Sequence, residues 1–266
     1  MKNRVISAIV MLIIVIPLII IGKIPYTLGV LVIGLLGLKE LLDIRKSKKS
    51  FPYIMRLIAY SLLTMIILSN NSKTVIEYIL NYRIIALILF CTLIPLILYQ
   101  DNKKYSINDA MYLIGILFFL GTAFNLLILV RNYSLLLLIY LILITTMTDT
   151  FAYITGYFIG KNKMCEKISP KKTWEGFVGG TFFGVLIPSM FYITVINSSI
   201  DIVLLATITT LLSLLSQTGD LVFSSIKRYF EKKDFSNLIP GHGGILDRLD
   251  SLIFVLLGFI TILEFL

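Results

Sequence analysis

Long apolar stretches recur from one end of this chain to the other, each close to the length that crosses a bilayer and each followed by a short charged gap. A helix spanning the hydrocarbon core needs about 20 mostly apolar residues, whereas a barrel strand needs half as many and alternates in polarity. The runs therefore predict an all-α, polytopic integral membrane bundle. Nine spans are expected near residues 5–22, 24–42, 52–69, 83–99, 108–130, 135–158, 175–196, 200–220 and 246–266. Composition agrees, since 58% of the residues are hydrophobic against roughly 45–50% in a soluble domain.

The net charge of +9 raises nucleic acid as a partner, but such a face gathers its cations in one patch. Here they sit in the gaps between apolar runs. With nine spans, Lys23, Lys73, Arg83 and Arg131 fall on one side and all the other Lys and Arg residues on the side of the N-terminus. Cation-rich loops stay cytoplasmic, so the N-terminus and both large basic loops are expected there. Abundant Ile, Lys and Asn suit an AT-rich bacterial genome, and hence a plasma membrane.

Cys91, inside a span, and Cys165, in a basic loop, lack the spacing of a disulfide framework or a zinc site. Lys2 and Arg4 precede an apolar run as in a signal peptide, yet no small-residue cleavage site interrupts Ile9–Ile21, so a retained first span is expected. Asn-x-Ser triplets at Asn70, Asn132 and Asn197 fall on the outer side. Residues 1–130 read as scaffold with dimer contacts. Their first four spans carry little chemistry, and Gly29, Gly34 and Gly37 are expected helix-packing positions.

Polar residues with a task begin at Asp149, in the sixth span. An acid at the centre of a membrane helix costs about 2.5–3.5 kcal/mol on insertion scales, so it is expected to face the bundle or water. The loop around residues 159–175 follows, where Ser169 reads as a helix N-cap and Pro170 as the first helical residue. Lys171, Lys172 and Thr173 would then lie in the first turn, an anion site. Trp174 reads as an interfacial anchor, and Gly176, Gly180 and Gly184 as a packing seam that could also serve a dimer. From Gln217 to Ser251, including the expected cytoplasmic loop 221–246, carboxylates and cations crowd beside the glycines Gly241, Gly243 and Gly244. Carboxylates are the hard oxygen ligands that Mg²⁺ prefers, cations neutralise phosphate, and glycine lets backbone N–H groups approach an anion.

Three motifs here, Ser224-x-Ile226-Lys227-Arg228, Lys233-Asp234-x-Ser236 and Ile239-Pro240-x-His242-Gly243-Gly244-Ile245-x-Asp247-Arg248-Leu249-Asp250, resemble the signature of the phosphatidate cytidylyltransferases. Ser169–Gly176, reading SPKKTWEG, is similar to that family's second characteristic stretch. The likeness covers the half from Asp149 onward, and Phe151 departs from it, standing where many members carry a small residue. The resemblance implies condensation of CTP with phosphatidate to give CDP-diacylglycerol and pyrophosphate, in a homodimer that needs Mg²⁺ and uses K⁺ as well.

On that footing Asp220 and Asp247 are expected to hold Mg²⁺, with Asp250 and Asp149 as further ligands. Lys227, Arg228 and Arg248 would stabilise charge on the leaving pyrophosphate or grip the lipid phosphate. Ser169, Lys171, Lys172 and Thr173 would cradle the nucleotide, and Ser224, His242, Gly243 and Gly244 would touch substrate. Two other classes fit parts of the pattern. A CTP-dependent lipid or polyprenol kinase would share the phosphate site but release CDP, and an ion-coupled transporter would use the acids as intramembrane ligands.

Overall fold

The computed structural model describes residues 2–69 and 82–262. Lys73, the triplet at Asn70 and the last four residues of the ninth expected span lie outside the described residues. The chain forms two compact units, Met1–Tyr133 with Asp234–Leu246, and Ser134–Lys233 with Asp247–Leu266.

The first unit contains α1 (Lys2–Ile21), α2 (Lys23–Ile44), a 3₁₀ turn (Arg45–Ser47), α3 (Tyr53–Leu68), α4 (Tyr82–Leu93), α5 (Pro95–Tyr99) and α6 (Ile107–Tyr133). Pro95, with no N–H to give, separates α4 from α5. The last carbonyls of a helix have no partner of their own, and at α1 the Arg131 guanidinium supplies one, its Nη2 donating to Ile20 O at 2.8 Å. The expected packing glycines do pack: a Cβ at Gly29 would meet Leu18, at Gly34 it would meet Ile67 and Phe124, and at Gly37 Leu246. The buried Asp109 carboxylate is paired with both Arg45 and Lys49 and accepts from Ser106 N at 2.7 Å. Arg45 in turn stacks over Phe51, 4.4 Å from the ring centroid.

The second unit contains α7 (Leu135–Phe158), a hairpin of β1 (Lys163–Cys165) and β2 (Ser169–Thr173), α8 (Trp174–Phe191) with a π turn (Tyr192–Ile196), α9 (Ile202–Tyr229) and α10 (Leu246–Ile262). Each cap is legible in residue type: Ser134 accepts from Leu137 N, Thr173 from Gly176 N and Asp201 from Leu204 N. Helices α7 and α8 pack closely along the glycine seam. A Cβ on Gly176 would lie 2.7 Å from Ala152 O, and one on Gly180 would lie 2.7 Å from Ala152 Cβ. The seam is thus filled from within the chain. Phe151, the departure from the family pattern, stacks on Phe183 of α8 with centroids 4.1 Å apart.

Among the described residues, five apolar segments are long enough to cross a membrane: Tyr82–Tyr99, Ile107–Tyr133, Leu135–Phe158, Trp174–Ile196 and Ile202–Tyr229. The all-helical expectation holds apart from the short hairpin. That hairpin corrects one reading: Ser169 caps no helix, because Cys165 pairs with Ser169 and Lys163 with Thr173, which draws residues 169–173 into a strand. A two-stranded sheet has only edge strands, so Pro170 fits without costing a ladder bond. The helix begins four residues later, at Trp174. A second correction is at α9, which continues past Asp220 to Tyr229, so residues 221–229 are helix and not loop.

Candidate active site

The long α9 helix places Asp220, Ser224 and Lys227 on one face, at offsets of four and seven residues. Ser224 Oγ donates to Asp220 Oδ1 at 3.3 Å, and Lys172 Nζ, arriving from β2, lies 2.7 Å from Asp220 Oδ2. Lys172 also donates to Gln217 O at 3.3 Å. The strand geometry that displaced the expected helix turn is what aims Lys172 at α9 while leaving Lys171 and Pro170 exposed. Thr173 is buried as the α8 cap, so of the four expected cradle residues only Lys172 is seen in contact with the acids.

Two more acidic residues, Asp149 on α7 and Asp250 on α10, lie on helices packed beside α9. Gly219 lies against α10, where a Cβ would meet Asp250 O at 2.8 Å. Asp149, from α7, accepts from Ser251 Oγ at 3.5 Å. Asp149 is exposed, and Asp220 and Asp250 are half-buried. Asp247 is engaged differently: Lys227 Nζ donates to its Oδ1 at 2.7 Å, and both side chains are almost buried. Arg228, one residue on, is exposed and uses its guanidinium on Ile168 O (3.2 Å) and Lys232 O (2.9 Å), tying the end of α9 to the hairpin. Arg248 is exposed at the start of α10.

The glycine loop belongs to the other unit. Ile239 N donates to Gly243 O at 2.8 Å and Gly243 N to Ile239 O at 3.1 Å, a turn that needs positive φ at Gly241 (79°) and Gly243 (86°). His242 Nδ1 lies 2.8 Å from Ser7 Oγ on α1, and the same hydroxyl donates to Pro240 O at 3.0 Å. Beyond the turn, Glu40 of α2 accepts from Ser236 Oγ (2.6 Å), Ile245 N (2.8 Å) and Leu246 N (2.9 Å). Residues of α1 and α2, Ser7 and Glu40, thus hold this loop.

Gln217, Ser251 and Glu40 were not singled out from sequence. Glu40 carried a signal, being an acid inside an expected span. Gln217 and Ser251 had none beyond their distance of three and one residues from acids already named.

A family model described as the cytidylyltransferase family matches residues 2–266. The chain is 35% identical over 257 residues to a phosphatidate cytidylyltransferase of Staphylococcus haemolyticus (strain JCSC1435), covering 96% of each chain. It is 36% identical, with the same coverage, to the proteins of that name from Staphylococcus aureus (strain COL) and Staphylococcus epidermidis (strain ATCC 12228 / FDA PCI 1200). This chain belongs to the cytidylyltransferase family, and its class is that of the nucleotidyltransferases.

Proposed function

We propose that this chain transfers the cytidylyl group of CTP to phosphatidate, giving CDP-diacylglycerol and pyrophosphate at the cytoplasmic edge of the membrane. The observation that carries this reading is the pairing of Lys172 with Asp220 across two motif-bearing stretches, with Asp149 and Asp250 on the helices packed beside α9, in a chain whose relatives, covered over 96% of their length, are named for that reaction.

The physical obstacle is charge. Two dianions about 5 Å apart repel by roughly 3 kcal/mol even at the dielectric of water. A phosphate oxygen of phosphatidate must nevertheless bond to the α-phosphorus of CTP while the bond to the β-phosphate oxygen breaks and pyrophosphate leaves with the electron pair. The attacking phosphate is largely ionised near neutral pH, so no residue is required to remove a proton, and His242 serves in loop and phosphate contact. Lys172 is placed to meet the incoming phosphates, and Lys227, Arg228 and Arg248 to offset charge that develops on the leaving group.

Among the described residues, no three His, Cys, Asp or Glu side chains form a ready-made metal cage. Mg²⁺ rarely asks for one, being held through one or two carboxylates with substrate phosphates and water, so the open acids fit it. Asp220, with either Asp250 or Asp149 beside it, would hold the ion through one or two carboxylates, and Asp247 would contribute by fixing Lys227. When bound, Mg²⁺ neutralises triphosphate charge. K⁺ enters through the family resemblance alone and is assigned no residue.

For topology, we read nine crossings, counting α4 with α5 as one. In the first unit the cation-rich ends meet: Arg45 and Lys49 pair with Asp109 at the start of α6, while Arg131 sits at the opposite end with the carbonyls of α1. That supports a cytoplasmic N-terminus and a plasma-membrane location. A homodimer is retained as part of the reading.

The test is purified protein in detergent with CTP, Mg²⁺ and phosphatidate. Label from α-labelled CTP should enter lipid as pyrophosphate is released. Label leaving as CDP would make the chain a kinase instead.

A further inference from the structure

The glycines of the loop have separate physical reasons, and one of them points to a residue far away in sequence. Gly241 and Gly243 are needed for backbone conformation. Gly244 has ordinary φ, but a Cβ there would lie 2.5 Å from Glu40 Oε1 and 2.7 Å from Oε2. Glycine at 244 makes room for a carboxylate. Glu40 itself is buried, at 3% exposure, and accepts three hydrogen bonds, two of them from the backbone N–H groups that open α10.

An acidic side chain on the first N–H groups of a helix satisfies donors that have no partner within the helix and complements its dipole. Ordinarily that acid is local in sequence. Here it comes from α2, more than 200 residues earlier, as the separation of 206 between Glu40 and Leu246 records. The consequence is twofold. The start of α10 is fixed in register one residue before Asp247 and one turn before Asp250. The same carboxylate accepts from Ile245 N and Leu246 N, so both groups already have a partner.

We infer that Glu40 is the positioning residue of this site: a resident anion that locks the loop of residues 236–246 and sets where α10 begins its acidic face. The inference rests on the cytidylyl-transfer reading for its effect on turnover, but its effect on the loop does not depend on that reading.

The experiment compares wild type with Glu40→Gln, which keeps the shape but replaces one acceptor with a donor. Gly244→Ala is the second variant, crowding the same carboxylate from the opposite side. In detergent, amide exchange at residues 239–246 should rise at least tenfold in both, while exchange in α6 and the unfolding midpoint stay near wild type. The kcat for CDP-lipid formation should fall at least tenfold, with the KM for CTP changed less than threefold. Ser236→Ala, which removes one of the three bonds, should give an intermediate value. Unchanged loop exchange in Glu40→Gln overturns the anchoring. Faster exchange with wild-type kcat overturns the positioning role, and faster exchange throughout the unit makes Glu40 a general stability residue instead. If the wild type makes no CDP-lipid, the functional reading fails, while the exchange data still decide whether Glu40 holds the loop.

Discussion

Lys227 and Asp247 form a nearly buried ion pair, Nζ to Oδ1 2.7 Å, with side chains 10% and 5% exposed. It joins the last turns of α9 to the first turn of α10, so the two halves of the motif are held by a charge contact. Removing one member of a buried pair costs about 3–5 kcal/mol because a charge stays behind in a poor solvent. Lys227→Met should therefore lower the unfolding midpoint in detergent and abolish turnover. Lys227→Met combined with Asp247→Leu should regain most of the stability and none of the activity. A double variant that loses the sum of both single effects would show that the pair is not coupled.

Asp220 receives Lys172 and Ser224. Asp220→Asn removes the charge while keeping the shape, so the protein should insert and melt normally. Mg²⁺-dependent pyrophosphate release should fall by about 100-fold or more, the scale on which charge-stabilising groups act. Turnover within threefold of wild type would remove Asp220 from the reaction.

The strand that replaces the expected helix turn separates the roles of two neighbouring lysines. Lys172→Gln should raise the KM for CTP several-fold more than the KM for phosphatidate. Lys171→Gln, altering an exposed side chain, should act weakly and lose its effect as salt is raised. Equal effects of the two changes on CTP would reject the assignment.

Gly180 lies against Ala152 and the Thr148 carbonyl. Gly180→Val should force α7 from α8 and lower thermal stability, at a cost of about 1–3 kcal/mol for overpacking. The oligomeric state measured by light scattering should not change, since this seam is filled inside one chain. A shift to monomer at unchanged stability would place the seam between copies.

Much of this was legible in the chain. Apolar run length fixed the helices, because in lipid every backbone group must be satisfied within its own segment. The caps Ser134 and Asp201 follow from local residue chemistry. The Ser169–Thr173 strand was hidden because Ser-Pro before a helix is also a sound N-terminal signal, and the pairing that overrides it comes from Lys163–Cys165. The end of α9 was hidden because polarity at Asp220 resembles a membrane boundary, although a helix can continue into water. Lys172, Asp220 and Asp250 were all named from sequence, but the engagement of Asp247 by Lys227 depends on helix azimuth, which a motif does not record. Glu40 was missed for the same reason: its partners lie at the other end of the chain.

The loop of residues 234–246 is grouped with the N-terminal helices although its sequence neighbours on both sides belong to the other unit. A gene divided after Tyr133 would thus not yield two self-sufficient halves. The downstream fragment would keep every motif residue yet reach the bilayer without Ser7 and Glu40, its turn and the mouth of α10 deprived of their tethers. Co-expression of both fragments, and not the motif-bearing one alone, is the minimal assembly in which those tethers can re-form.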